Sequence, residues 1–598
     1  MNACAEGPSR DTPEIASLRL GCAHPCAQTV PRGALRARVH AGGSSLSGGF
    51  AGGACFTDAR GCVTLRRVNG ATWPCLIMTN PSHVKSTRPI DPKLPVYESL
   101  VHMLAAAVDA HPEVTAVINE DGRVTYAEFG RAVVGLTRQL VAAGAKRGER
   151  VLLLMPNSIE MDVALMAVMA SGAQVAPINP FLTPHELEKQ LGDVDACAII
   201  SDATTAEKAK GVAAHFRIRT HITLGKGGTT LDAWTRDASL KLDPGTFPNA
   251  GDFALLIFTG GSTGTPKGTN HTHGGLMWGL LQHVTVWPGT FGQERFLNVA
   301  PMFHIWGLGY AAWVPIYMQS TLVMIPRYDA DKVVQGLSDH KITYFAGGPA
   351  PIYMGLLASP SFKTADLSHL KYCPSGGAPC PAELHREWRE KVGQPLLEGW
   401  GMTEGAPFCL NVYDGLRKPM SVGRPVPGTE LQIVDVDAGD KIMPQGERGE
   451  VRVRGPQMML GYRKRAEETA MALRDGWMYT GDIGYVDEDG YLFLVDRKKD
   501  MVIVGGYNVY PREVDEVLFQ HPKVKEAATV GKPDPRLGEV LVAFVVLDAG
   551  AKLTEEEFFE YCKTEMVKYK RPVEVHFVDA LPKTGTNKIN RRALRDLL

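Results

Sequence analysis

The residues Phe258–Gly268, FTGGSTGTPKG, concentrate the most specific chemistry of the chain in one short segment. Gly261 and Gly264 carry no side chain, so backbone N–H groups can turn toward a bound anion without steric cost. Thr259, Ser262, Thr263 and Thr265 add hydroxyl donors, and Lys267 adds a positive charge. Phosphate oxygens are the natural guests of such a loop. It is not the GxxxxGK[ST] nucleotide loop, because Pro266 precedes Lys267 and Gly268 follows it. The apolar run ALLIF leads into the segment and reads as a buried strand that anchors its base.

The 598 residues exceed one hydrophobic core, so at least two domains are expected. Apolar residues make up 44% and the formal net charge is −1. These values describe a globular protein and give no electrostatic reason for a nucleic-acid partner. No run reaches the roughly 20 apolar residues of a membrane-spanning helix. The apolar stretch Val299–Ile325 is interrupted by Pro301, His304, Gly307, Gly309, Pro315 and Gln319, and reads as buried core carrying site residues. Cys4, Cys22, Cys26, Cys55, Cys62 and Cys75 crowd the start, and the other cysteines lack the paired spacings of a zinc site. Free thiols and a cytoplasmic setting are the expectation.

Residues 1–80 are rich in Gly, Ala, Ser and Arg, contain no Lys and show little periodicity. They read as an N-terminal extension without chemistry: disordered, targeting, or assigned from a start too far upstream. From about Tyr97 the pattern changes. Helical spacing runs over Tyr97–His111 and Thr125–Ala143, and strand-like runs follow at Arg150–Met155 and Val175–Ile178. This rhythm predicts an α/β multidomain protein whose large N-terminal domain, residues 81–497, has parallel-rich sheets covered by helices. Within it, the short strands LQIVDV, GEVRVRG and GYLFLVDR predict a β-rich subdomain over about 420–497. Residues 498–598 mix helices (Pro511–Gln520, Thr554–Lys568) with a strand (Val540–Leu547), predicting a small mobile α+β C-terminal domain on a polar hinge.

TGGSTGTPKG resembles the phosphate-binding signature of the adenylate-forming superfamily: acyl- and aryl-CoA synthetases, peptide-synthetase adenylation domains and beetle luciferases. Gly261 stands where serine is commoner, and Ser262 where glycine is. Further similarities follow in the family's order, from near Tyr97 to the end of the chain. SGGAP at 375–379 resembles the adenine wall, which implies nucleotide contacts for Gly376, Gly377 and Ala378. GWGMTE at 399–404 resembles GYGMTE. That likeness implies Trp400 as an aromatic face for adenine, Thr403 as a hydroxyl for the α-phosphate and Glu404 as a hard oxygen ligand for Mg²⁺.

YTGDIGYVDEDGYLFLVDRKKD at 479–500 matches the family closely, implying Asp482 on the ribose hydroxyls, Arg497 on sugar or phosphate, and Lys499 as the hinge. GGYNVYP at 505–511 implies that Gly505 and Gly506 line the path of the pantetheine arm. PKTGTNKINR at 582–591 resembles PKTxxGKIxR, which implies Lys588 as the catalytic lysine between carboxylate and α-phosphate. Asn587 replaces the usual glycine. APMFHIWG at 300–307 resembles PLFHxxG, putting His304 near the acyl carboxylate.

The resemblance implies an ATP-dependent acid–thiol ligase that forms an acyl-AMP, releases pyrophosphate, and passes the acyl group to coenzyme A with loss of AMP. ATP, Mg²⁺ and coenzyme A are the implied cofactors and co-substrates. Where peptide-synthetase domains carry an aspartate for the substrate ammonium, this chain has Phe303, His304, Ile305 and Trp306, so an amino acid substrate is not expected. Trp306, Tyr310 and Phe345–Tyr353 are the expected walls of the acid pocket, with Gly347 and Gly348 leaving room. A medium- or long-chain fatty acid is the expected acid, and an aryl or arylpropenoic acid the alternative. Transfer to a carrier protein and a luciferase-like oxygenation are the readings from other classes. A small carboxylic acid and coenzyme A are the expected partners; a homodimer is left open.

Overall fold

Local rules set the helices of the large domain. Tyr126–Ala142 begins at Thr125, whose hydroxyl accepts from Glu128 N–H while the Glu128 carboxylate accepts from Thr125 N–H. This reciprocal cap satisfies two donors that a helix start leaves unpaired. Leu100–Ala110 and Ile159–Ala170 start the same way on single serine caps, Ser99 and Ser158. Every residue of Ile159–Ala170 except Glu160 is buried, so this helix lies inside the protein, as an all-round apolar helix must.

The computed structural model describes residues 82–598 apart from 260–265, 379 and 585–587, together with Phe56–Thr57 and Val63–Thr64. The chain divides into two compact units, Met1–Met78 and Thr79–Leu598. In the first, Phe56–Thr57 and Val63–Thr64 pair antiparallel. The remainder of the extension expected over residues 1–80 lies outside the described residues.

In the second unit, a seven-stranded sheet runs in the order Gly461–Tyr462, Gly268–Thr272, Phe253–Phe258, Gln174–Pro177, Arg150–Leu154, Ala198–Asp202 and Thr220–Leu224. Its last five strands are mutually parallel. A five-stranded sheet joins Tyr344–Phe345, Arg295–Asn298, Thr321–Met324 and Thr115–Asn119 in parallel, with Gly122–Thr125 antiparallel at the edge. Both agree with the predicted α/β architecture. The stretch from Val299 folds as buried core and includes a π-helical turn over Leu308–Trp313.

Cys373–Gly376, Leu396–Met402, Gly405–Leu410 and Arg424–Pro425 form a smaller mixed sheet. Leu473–Arg474, Trp477–Val486, Gly449–Arg454 and Glu430–Val434, with Leu492–Arg497 paired on Trp477–Val486, form an antiparallel sheet whose edge strand, His83–Lys85, comes from the far start of the unit. His83 Nε2 meets Glu430 Oε2 at 3.1 Å across a separation of 347 residues. No periodicity in three residues could announce that pairing.

The last sheet orders Tyr507–Val509, Val502–Val504, Gly538–Leu547 and Val524–Asp534, with Glu574–Phe577 parallel on Gly538–Leu547. Pro511–Phe519 and Glu555–Glu565 pack on it around Val514, Leu518, Ala543, Val545 and Phe558. Among the described residues, no helix is long and apolar enough to cross a membrane.

Two buried acids in this scaffold have measurable consequences. Asp162 is buried beside Tyr126, and its Oδ1 has no hydrogen-bond partner among the described residues. Burial pushes its carboxyl up to about 8, so the folded state holds it protonated at neutral pH. An acid whose folded pKa lies above its unfolded value stabilises fully below the unfolded value and loses that contribution as pH rises toward the folded one. Asp162→Asn is therefore expected to melt at a progressively higher temperature than the parent as pH rises from about 4 to about 8, with the gap then constant. Thermal melts across that range check it. In the small domain, Arg591 Nη2 pairs with buried Asp515 Oδ2 at 2.7 Å, and Arg591 Nη1 donates to Thr529 O at 3.2 Å. Arg591→Met strands that carboxylate and is expected to cost about 3 kcal/mol, read as a lower denaturant midpoint for this domain.

Candidate active site

The phosphate-loop segment closes a hairpin. Phe253–Phe258, buried from Ala254 to Ile257, pairs antiparallel with Gly268–Thr272, and Thr259 N–H donates to Lys267 O at 3.0 Å to seal the base. Gly261, Ser262, Thr263 and Gly264 lie outside the described residues. At the two ends of the loop, Thr259 Oγ1 is buried without a hydrogen-bond partner among the described residues, and Lys267 Nζ stands 4.5 Å from the Tyr462 ring centroid.

Leu396–Met402 brings Trp400 and the turn Thr403–Glu404 beside that hairpin. Thr403 O accepts from His271 Nε2–H at 2.8 Å. Burial holds His271 down at about 4, which keeps the ring neutral. Glu404 is buried, and Tyr462 O–H donates to its Oε1 at 2.7 Å. Among the described residues, no cluster of three or more His, Cys, Asp or Glu side chains could hold a metal by itself. Mg²⁺ fits such a place, since it binds through one or two carboxylates and fills its octahedron with phosphate oxygens and water.

Asp482 and Arg497 face each other across Trp477–Val486 and Leu492–Arg497. Arg497 Nε meets Asp482 Oδ1 at 2.5 Å, and Trp400 Nε1–H donates to Asp482 Oδ2 at 3.0 Å. Asp482 raises the Arg497 guanidinium further. Two such bonds leave the carboxylate lone pairs to spare for a diol. Trp400 itself is buried, its ring 5.4 Å from that of Phe408. The contact it makes on Asp482 was not foreseen from its motif.

Cys373–Gly376 ends at the wall formed by Gly376, Gly377 and half-buried Ala378. A Cβ at Gly376 would lie 2.6 Å from Gly399 O and 2.7 Å from Trp306 Cζ3, so only glycine fits there. Gly377 has φ +78°, and a Cβ on it would lie 3.8 Å from Lys588 Nζ. The small domain thus delivers its lysine to the wall of the large one. Lys588 is tied to Thr584: Thr584 N–H donates to Lys588 O at 2.7 Å and Lys588 N–H donates to Thr584 Oγ1 at 3.2 Å. Residues 585–587, Asn587 included, lie outside the described residues.

Burial and the Arg497 charge lower the Lys588 ammonium, and Asp482 opposes them. His304 caps the turn Ile305–Gly307, its Nδ1 accepting from Trp306 N–H at 3.3 Å. Burial, with the Lys588 charge, pushes His304 down to about 3, so it is a neutral imidazole. Trp306 lies between Gly376 and Gly348. The room expected at Gly347 is filled: a Cβ there would lie 2.6 Å from the Phe345 ring and 2.9 Å from the Tyr353 ring. Phe345 and Tyr353 are fully buried core, with Tyr353 O–H donating to Pro374 O at 2.6 Å. The side chain of Tyr310 is not among those described.

Gly505 and Gly506 form the turn between Val502–Val504 and Tyr507–Val509, with φ +57° and +86°, and both are exposed. Lys499 is exposed in the single turn Lys498–Asp500, between Lys498, which binds Glu450 at 2.8 Å, and Asp500, which binds Arg595 at 2.7 Å. The structure therefore gathers Lys267, Glu404 and Tyr462 in one group. A second joins Asp482, Arg497, Lys588, His304 and the Gly376–Gly377 wall, and the Gly505–Gly506 turn stays on the surface. Tyr462 and His271 were missed. The polar run TNHTH at 269–273, directly after the loop, signals His271, whereas a Gly-Tyr pair in a two-residue strand signals nothing.

The comparisons with known proteins agree with this geometry. Residues 104–463 match the AMP-binding enzyme family and 513–588 match the AMP-binding enzyme C-terminal domain. A long-chain-fatty-acid–CoA ligase of Bacillus subtilis (strain 168) is 34% identical over 532 residues, which cover 83% of this chain and 94% of that one. A feruloyl-CoA synthase of Amycolatopsis sp is 37% identical over 486 residues, covering 81% and 96%. ATP-bound MatB from Rhodopseudomonas palustris superposes with a TM-score of 0.77 at 32% identity, covering 83% and 98%. Loop, wall, carboxylates and delivered lysine, in this order and on this fold, make the chain a member of the AMP-binding, adenylate-forming enzyme family.

Proposed function

We propose that this site activates a carboxylic acid as its acyl adenylate and transfers the acyl group to coenzyme A. The observation that carries the reading is Lys588 seated against Gly377, within electrostatic reach of His304, Asp482 and Arg497. Both reactants of the first step are anions. Lys588 offsets the charge as the acid's oxygen bonds to the α-phosphorus and the bond to pyrophosphate breaks. Thr259 and Lys267 hold the outer phosphates, with Gly261, Ser262, Thr263 and Gly264 read as the cradle between them. Thr403 donates to the α-phosphate, and Asp482 and Arg497 hold the ribose. Gly376, Gly377, Ala378 and Trp400 border the adenine. Bound Mg²⁺ supplies charge neutralisation on the phosphates, and Glu404 is its protein ligand. Neutral His304 orients the carboxylate without competing for Lys588.

In the second step, the thiolate of coenzyme A bonds to the acyl carbon and AMP leaves. We place the boundary between the domains at 497/498, with Lys499 as the hinge. Rotation there withdraws Lys588 and turns the exposed Gly505–Gly506 face inward, a gating motion. All site residues come from one chain, so the chemistry does not require a second copy. The free Cys197, Cys373, Cys380, Cys409 and Cys562 support a cytoplasmic reading.

The acid is a medium- or long-chain fatty acid, supported by the long-chain-fatty-acid–CoA ligases among the relatives. An arylpropenoic acid is the second reading. The feruloyl-CoA synthase likeness favours it. A pyrophosphate-release screen over fatty and arylpropenoic acids, with and without coenzyme A, is expected to show release that depends on the acid. Release indifferent to the acid would sink the ligase reading. Lys588→Ala is expected to lose adenylate formation by about a hundredfold or more, the scale of a lost charge-stabilising donor, yet to convert supplied acyl-AMP to thioester at near-parental rate. Equal loss of both half-reactions would contradict the two-conformation account.

A further inference from the structure

Tyr462 touches both charges of the phosphate-loop group at once. Its hydroxyl donates to Glu404 Oε1 at 2.7 Å, and its ring face lies 4.5 Å below Lys267 Nζ. The residue is buried, with 8% of its surface exposed, so neither contact is a passing surface encounter. Its strand pairs antiparallel with Gly268–Thr272, Thr269 opposite Tyr462, and Arg463 N–H donates to Gly268 O at 2.8 Å. The same Thr269 strand carries His271, which binds Thr403 O. The backbone that leaves the phosphate loop thus fixes Tyr462, and Tyr462 fixes the carboxylate.

We infer that Tyr462 is a positioning residue for nucleotide-bound metal: its hydroxyl ties down one oxygen of Glu404 and so aims the other at the cation. This rests on the reading of Glu404 as the Mg²⁺ ligand. A carboxylate on a free torsion loses rotamer entropy when it ligates, and one already held by a hydrogen bond loses less. The ring serves a separate purpose. It gives the loop lysine an attractive perch beside Glu404, and the side chain that carries the hydroxyl keeps the cation over its face.

The test separates the hydroxyl from the ring. Tyr462→Phe keeps the perch and loses only the hydrogen bond. Calorimetric titration with ATP in EDTA is expected to give an affinity within about twofold of the parent, because the ring under Lys267 is retained. Titration of Mn²⁺ into the ATP complex, read by electron paramagnetic resonance, is expected to show about tenfold weaker binding, the size of one lost hydrogen bond to a charged group. Glu404→Gln should weaken Mn²⁺ binding as well, and Tyr462→Phe added to it should weaken binding no further.

If Glu404→Gln weakens Mn²⁺ binding and Tyr462→Phe does not, Tyr462 has no positioning role while the reading of Glu404 stands. If neither variant changes it, the reading of Glu404 falls and this inference falls with it. Additive losses in the double variant would show that the hydroxyl acts elsewhere. Equal weakening of metal-free and metal-loaded ATP binding by Tyr462→Phe would reduce Tyr462 to a structural residue.

Discussion

Everything in this fold answers to one electrostatic difficulty: a carboxylate must approach a triphosphate, and both are anions. Cations must be waiting, and they must be held together against mutual repulsion and loss of water. Lys588 shows the cost, since burial and the neighbouring Arg497 both weaken its hold on a proton. Asp482 is the counterweight. It pairs with Arg497, opposes the loss of charge on Lys588, and is itself held by the Trp400 indole N–H. An anion so placed lets two cations share a small volume without either giving up its proton.

The architecture follows from having to bring those charges in from distant parts of the chain. Parallel strands, joined by covering helices, all point their ends in one direction, and the loops after them collect at one edge. The phosphate loop follows the strand Phe253–Phe258, and the Gly376–Gly377 wall follows Cys373–Gly376. The antiparallel sheet to the side supplies Asp482 and Arg497 from neighbouring strands, a register that forces the pair to meet. Lys588 alone comes from a part of the chain with hydrophobic cores of its own.

Much of this was legible in the residues. The 3.6-residue period located Leu100–Ala110 and Tyr126–Ala142 to within a few residues, because that signal is local. The runs of apolar residues marked the parallel strands for the same reason. The pairing of His83–Lys85 with Glu430–Val434 was not legible, since a three-residue edge strand has no period and its partner is remote. Gly347 misled in the opposite way. A glycine leaves space only where nothing else enters it, and here Phe345 and Tyr353 do.

The identity of the chemical groups was written in the chain order: a loop with glycines, hydroxyls and a lysine, then Glu404, then Asp482 and Arg497, then Lys588. Residue type alone says which group can neutralise a phosphate or accept from a diol. It does not say which groups touch. Trp400 as the support of Asp482, Tyr462 as the link from Lys267 to Glu404, and Lys588 against Gly377 rather than in solvent are all contacts across long separations. Such contacts are settled by sheet register and core packing, which sum over the whole fold and leave no mark in any short window of sequence.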